Sequence, residues 1–384
     1  MKRSFRWQSY KKSGSLKALI VTGCMAERYR EEITKEIPEV DAVLGTASYG
    51  HILDAVDGAL AGQSYLKMEP LDTLPLVNTH RMVTTGGHYA YLKIAEGCDK
   101  HCTYCIIPKL RGNFRSVPME HLLREVKQLA DDGVKEIILV AQETTLYGKD
   151  LYGEKKLPEL LRRLCKISGI RWIRILYCYP EEITEELIQT IKEEPKICHY
   201  LDLPIQHASD DVLKRMGRRT SKEELIHIIS RIREEIPDIT LRTTLITGFP
   251  GESKEQHEEL MDFVDEMAFG RLGVFTYSAE DGTPAAQMPD QVEESVKEAR
   301  RAELMELQQE IAFDQAEQMI GREVLVMIEG KVADENAYVG RTYKDAPNVD
   351  GLIFVNTDTE LLSGDFAKVR VTGACEYDLI GELM

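Results

Sequence analysis

Residues 91–108 read YLKIAEGCDKHCTYCIIP, a short apolar strand that ends at Gly97 and opens into a loop carrying Cys98, Cys102 and Cys105. The same pattern recurs downstream. KEIILVAQ (135–142), WIRILYC (172–178), HYLDLPI (199–205), ITLRTTLITG (239–248) and RLGVFTYS (271–278) are apolar runs, separated by stretches long enough for crossover helices. Leu122, Leu123, Val126 and Leu129 show the helical stripe between the first two runs. Repeated strand and helix units imply an α/β fold with a parallel sheet, here a partial (β/α)6 barrel. In such barrels the reactive groups lie in the loops at the carboxyl ends of strands. That rule places Cys98 after the first strand, Gln142 and Glu143 at the end of the second, and Tyr179 and Pro180 after the third. Gln206 and His207 follow the fourth strand and Gly248 the fifth.

Before the barrel, LKALIVTG (16–23), AERYREEITKEI (26–37) and DAVLG (41–45) read as strand, helix and strand. This is too little for an independent α/β domain, so residues 1–62 are expected to be a truncated amino-terminal domain. Residues 63–88, with Pro70, Pro75, Gly86 and Gly87, read as a linker, and 89–318 as the barrel with a long exit helix from about 289. After Gly321 the alternating runs EVLVMIEG (323–330), GLIFVN (351–356) and FAKVRVTG (366–373) predict a small β-barrel over 319–384.

The chain has 65 acidic against 48 basic residues, a net charge of -17 that repels a phosphate backbone and attracts a basic protein. No apolar run reaches the roughly eighteen residues of a membrane span, and the basic start MKRSFRWQSYKKSGSL lacks the apolar core of a signal peptide. A cytoplasmic protein without a membrane partner is therefore expected. Eight irregularly spaced cysteines fit reduced thiols, and Cys165, Cys178, Cys198 and Cys375 read as buried small hydrophobes.

The loop EGCDKHCTYCIIP is different in kind. Its cysteines are separated by three and then two residues, and thiolates bind iron or zinc. Three ligands on one loop can hold three corners of a cubane cluster and leave the fourth iron open to chelate a small substrate. A structural zinc site wants four closed ligands, and no second cysteine pair lies at zinc-finger spacing. A metal-binding module without catalysis stays open on these residues and predicts no turnover.

The Cys-x-x-x-Cys-x-x-Cys loop after a first barrel strand resembles the radical S-adenosylmethionine superfamily. More narrowly, IVTGCMAERY, VLGTASYG, AEGCDKHCTYCIIPKLRG, YLDLPIQHASDDVLKRMGR, LRTTLITGFPGES and YSAEDGTPAAQM are similar to segments of methylthiotransferases, over nearly the whole chain. IQHAS and GRTYKDAPNVDG resemble the RimO type, which acts on an aspartate of the small ribosomal subunit's protein twelve. The MiaB type, acting on an adenosine of tRNA, is the competing subfamily.

The resemblance implies that Cys98, Cys102 and Cys105 hold a [4Fe-4S] cluster that cleaves S-adenosylmethionine reductively. The resulting radical would then abstract hydrogen from the β-carbon of the aspartate before a sulphur is inserted and methylated. It makes Tyr104, Gln142, Glu143 and Gly248 cofactor-binding and points Gln206 and His207 at cofactor or substrate, while no catalytic base can be named. The terminal barrel resembles a TRAM domain, yet Gln318–Met384 carries 6 Lys or Arg against 12 Asp or Glu, a net of -6 that favours a basic protein over a nucleic acid. One-electron chemistry implies a flavodoxin or ferredoxin-type donor.

The family carries three amino-terminal cysteines for a second cluster, and Cys24 alone stands here. The chain is therefore expected to lack about the first sixty residues of the usual length.

Overall fold

The computed structural model describes residues 7, 10–11, 13–73, 81–84 and 86–384. Of the expected linker, residues 74–80 and 85 lie outside the described residues. By its contacts the chain divides into two compact units: Met1–His80, Glu96–Asp99 and Ile106–Val117 form the first, and Arg81–Ala95, Lys100–Cys105 and Pro118–Met384 the second.

The first unit holds a three-stranded parallel sheet of Ile20–Thr22, Ala42–Leu44 and Tyr65–Lys67. The third strand falls inside the stretch expected to be linker. It is three residues long, too short for its alternation to stand out against the prolines that follow. Another departure is the expected helix over 26–37, which breaks at Arg30 (φ 44°) into Cys24–Tyr29 and Glu31–Glu36. Glu96–Asp99 and Ile106–Val117, on either side of Lys100–Cys105, belong to this unit, where Thr46 Oγ1 donates to the Leu110 carbonyl at 2.8 Å.

In the second unit, Tyr89–Lys93, Glu136–Val140, Trp172–Ile175, Ile197–Asp202, Thr240–Thr247 and Arg271–Thr276 form one six-stranded sheet in chain order, all neighbours parallel. It is the partial barrel that the apolar runs predict. Helices Met119–Asp131, Leu157–Cys165, Glu185–Glu193, Lys222–Glu235 and Lys254–Met267 connect successive strands. Leu122, Val126 and Leu129 are buried, the apolar stripe of the first of them. Ser221 and Ser253 cap the last two in full capping boxes, each accepting the amide three residues on while Glu224 or Gln256 reaches back.

The exit helix Glu294–Glu317 leads to a closed five-stranded barrel of Glu323–Lys331, Ala337–Arg341, Ile353–Asn356, Phe366–Cys375 and Asp378–Leu383. Its core is Val326, Ile328, Ile353, Val355 and Val369, all fully buried. Charged groups tie it to the amino-terminal ends of the sheet strands. Glu136 accepts from Arg174 Nε at 2.8 Å and from Arg341 Nη2 at 2.7 Å, and Arg271 Nη2 meets Asp345 at 2.5 Å. Burial pushes the Glu136 carboxyl up, but the two guanidiniums outweigh it and hold the group below its ordinary range. Among the described residues, no helix is long and apolar enough to cross a membrane.

Cys165, Cys178 and Cys198 are buried as expected, whereas Cys375 is exposed. It ends a strand beside the turn residue Glu376 (φ 54°), where the chain has left the barrel core.

Candidate active site at the carboxyl ends of the strands

The cysteine loop contributes Lys100–Cys105 to the second unit. Thr103 N donates to the Met216 carbonyl and Cys105 N to the Cys102 carbonyl, both at 2.9 Å, and His101 takes a left-handed φ of 52°. Cys102 is buried, its Sγ 3.6 Å from the hydroxyl of Tyr179. Lys100 and Arg218 both lie over the Tyr179 ring, at 4.9 and 4.2 Å from its centroid. Arg218 is only 6% exposed and gives Nη2 to the Pro204 carbonyl at 3.1 Å, leaving Nε and Nη1 without a hydrogen-bond partner. Tyr104 meets Phe249 edge to face at 6.5 Å, in an apolar cluster that includes Val212, Met216 and Tyr277. Burial pushes its hydroxyl well above the usual phenol range.

Glu143 ends the second strand fully buried, with Gln142 half-buried before it. Its Oε1 accepts from the Thr145 amide at 2.9 Å and from the Thr145 hydroxyl, while Oε2 has no hydrogen-bond partner. Burial pushes the carboxyl up to about 7, against the pull of Thr145 and Lys100. A buried acceptor left open in this way fits a cationic donor such as an ammonium.

After the fourth strand the backbone turns at Gln206 in the left-handed region (φ 73°), held by Gln206 N on the Thr244 carbonyl and Ile246 N on the Gln206 carbonyl, at 2.9 and 2.8 Å. A non-glycine residue there stores strain, and the Gln206 Oε1 is buried without a partner. His207 is wholly enclosed. Its Nδ1 accepts from Ser209 N at 3.0 Å, and Nε2 lies 3.7 Å from Glu252. Burial takes its pKa down to about 3, so the ring is neutral. Glu252 is itself buried and accepts from Phe249 N at 3.0 Å and Arg300 Nη1 at 2.9 Å; burial raises its carboxyl.

Gly248 turns out to be required by the protein itself. It sits at φ 70°, and a Cβ there would come within 2.2 Å of Lys297 Cγ. The exit helix, not a ligand, occupies the space that the missing side chain leaves.

In the first unit, Gly97 takes φ 81° and lies so close to Asn113 that a Cβ would stand 2.1 Å from its carbonyl oxygen. Cys98 follows, buried, its amide donating to the Gly112 carbonyl at 3.2 Å. Cys24 opens the helix after the first strand, and Arg111 donates Nε to its Sγ at 3.2 Å and Nη1 to Glu96 at 3.3 Å.

No cysteine is tied up in a disulfide, Cys98, Cys102 and Cys105 among them. Among the described residues no three Cys, His, Asp or Glu groups converge on a point as for a single metal ion. A cubane does not ask for that, because each thiolate caps its own iron. The donor set fits a [4Fe-4S] cluster bound by three cysteines. It does not fit a second cluster, for which Cys24 is the one thiol outside the loop and the buried or strand-end positions.

Arg218, Thr145 and Glu252 escape the sequence reading. Glu252 and Arg218 do stand in quoted motifs, GFPGES and KRMGR, and a charge inside a strand-end loop is the signal that picks them out.

The model of the radical SAM superfamily matches residues 92–264, and that of the TRAM domain residues 320–384. A "Ribosomal protein uS12 methylthiotransferase RimO" from Lachnoclostridium phytofermentans is 65% identical over 97% of this chain and 84% of its own length. Proteins of the same name from Clostridium botulinum and Desulforamulus reducens are 50% and 48% identical, over 97% and 99% of this chain and 83% and 86% of theirs. Among solved structures, the cobalamin-dependent S-adenosylmethionine radical enzyme OxsB aligns over 79% of this chain and 46% of its own, at 15% identity and a TM-score of 0.49. With about half to two thirds of its residues shared with these relatives across nearly its whole length, the chain belongs to the RimO family of radical S-adenosylmethionine methylthiotransferases.

Proposed function

We propose that this chain acts on the small ribosomal subunit's protein uS12, as its relatives are named for doing, and methylthiolates the β-carbon of an aspartate there. The observation that carries this reading is the 65% identity to a RimO protein over 97% of the chain, with the cysteine loop inside the matched radical SAM segment. Cys98, Cys102 and Cys105 are the proposed cluster ligands, supported by three cysteines outside any disulfide in one loop after a barrel strand. When bound, a [4Fe-4S] cluster supplies single electrons and an open iron for S-adenosylmethionine, the chemistry of reductive cleavage.

The chain's own residues do the rest of the work of binding. Glu143 is assigned the ammonium of the cofactor's methionine, supported by its buried Oε2 without a partner, and Tyr104 and Phe249 offer aromatic edges beside the loop. Gln206 is assigned to the substrate through its open Oε1, and His207 to holding that loop against Glu252. Gln142 and Gly248 keep a supporting place, the one next to Glu143 in the chain and the other through the turn it allows.

Residues 89–318 are the proposed catalytic domain and 319–384 the proposed substrate-facing TRAM domain. Its net of -6 suits a basic ribosomal protein and opposes tRNA. Cys24 is the one position from which this chain could contribute to a second cluster. A flavodoxin or ferredoxin-type donor is the proposed reductant, and cysteines without disulfides suit the reducing cytoplasm.

The test is anaerobic reconstitution with iron and sulphide, then assay of 5′-deoxyadenosine after dithionite and S-adenosylmethionine, and mass spectrometry of added uS12. About four irons per chain, deoxyadenosine, and an added methylthio group on the aspartate are the expected results. Cluster formation without any deoxyadenosine would return the chain to a binding module.

A further inference from the structure

Tyr179 packs against the cysteine loop. Its hydroxyl lies 3.6 Å from Cys102 Sγ, and both side chains are buried, at 9% and 5% exposure. In the free thiol either atom can donate this hydrogen bond. A cysteine bound to iron has lost its proton, and the phenol is then the only donor of the pair.

Two cations stand over the same ring, Lys100 at 4.9 Å and Arg218 at 4.2 Å from its centroid. Lys100 is balanced by Glu182 at 2.5 Å and Glu181 at 3.6 Å. Arg218 is less well compensated. Its nearest carboxylate, Glu181, is 3.7 Å away, and two of its nitrogens have no hydrogen-bond partner although the residue is 6% exposed. A buried guanidinium in that condition is costly unless some negative charge nearby makes use of it. Positive charge over the ring also draws electron density from the phenol and makes its hydroxyl a stronger donor.

We propose that Tyr179, backed by Arg218 and Lys100, raises the reduction potential of the cluster through a hydrogen bond to the Cys102 sulphur. The inference rests on Cys102 as a cluster ligand. Adding an electron makes a cluster more negative, so a donor on its sulphur and a buried cation beside it both favour the reduced form. A relay of this kind eases the one-electron reduction that precedes cofactor cleavage. Tyr179 and Arg218 are positioning residues in this scheme, acting on the cluster through the Cys102 sulphur.

The test uses the full chain, reconstituted anaerobically, with iron counted and the EPR signal of the reduced cluster followed through a dithionite titration. Tyr179→Phe is expected to keep its iron and to show a more negative midpoint. Arg218→Gln should shift in the same direction, and Arg218→Lys, which keeps a cation at that position, should move back toward the unmodified chain. An unchanged midpoint in Tyr179→Phe with the cluster intact overturns the inference. Loss of iron from that variant overturns it too, since Tyr179 would then be a structural contact. An unmodified chain that takes up no cluster overturns the ligand reading instead, and the inference with it; iron counting tells the two failures apart.

Discussion

Arg341, in the terminal barrel, places Nη2 2.7 Å from Glu136 Oε2 at the start of the second sheet strand, with neither side chain more than 1% exposed. Glu136 also receives Arg174, so one carboxylate answers two buried guanidiniums. Removing one partner of such a group strands the others in a medium of low dielectric.

Glu136→Gln should therefore cost about 3–5 kcal/mol in a denaturant titration. Because the folded carboxyl is held below its ordinary 4.5, its contribution is complete above that value and lost as pH falls through the lower folded value. The stability gap between the unmodified chain and Glu136→Gln should narrow as the medium is acidified below about pH 4.5. A gap that stayed constant down to acid unfolding would mean that Glu136 is not ionised in the fold.

Cys102→Ala should lower reconstituted iron from about four atoms per chain to near none, whereas Cys198→Ala, removing a thiol buried among Trp172, Tyr200 and Met327, should leave it unchanged. Equal iron in both variants would remove Cys102 from the ligand set.

Glu143→Gln should weaken S-adenosylmethionine binding about tenfold to a hundredfold, since a charged acceptor for the ammonium is lost. With its carboxyl raised to about 7, Glu143 is protonated below that pH, and the unmodified chain should bind more weakly as pH falls from 7 to 6. Calorimetry at the two pH values checks the direction. The Glu143→Gln variant should lack this dependence.

Gly248→Ala should destabilise the barrel by about 1–3 kcal/mol, because alanine is strained at φ 70° and its methyl meets the Lys297 stem. Lys297→Ala added to it should recover the steric part alone. Full recovery in thermal melts would show that the backbone angle carries no cost.

Neutralising Asp334, Glu335, Asp358 and Glu360, exposed acids of the terminal barrel, should slow association with uS12 on the order of tenfold at low salt and flatten its salt dependence. An unchanged salt dependence would take the electrostatic role away from this barrel.

Local pattern carried much of this fold. The six sheet strands stood out as apolar runs because both faces of a parallel sheet are covered, and the cysteine loop stood out because ligand spacing is short-range. Strands Ala337–Arg341 and Asp378–Leu383 were harder to see, being short and interrupted by glycine and charged residues. Tyr65–Lys67 was hidden for the same reason of length.

What tertiary structure alone decided is which charges meet. Arg341 and Glu136 stand 205 residues apart, and Tyr179 and Cys102 stand 77 apart. Periodicity along a chain reports which face of an element is buried, whereas a hydrogen bond depends on atoms that only the return of distant segments brings within reach. The sequence by itself determined the six strands of the parallel sheet and the three thiols on one loop. The open carboxylate oxygen of Glu143, the enclosure of His207 and the cations over Tyr179 followed only from packing, because burial strips water from a polar group and makes its few remaining partners decisive.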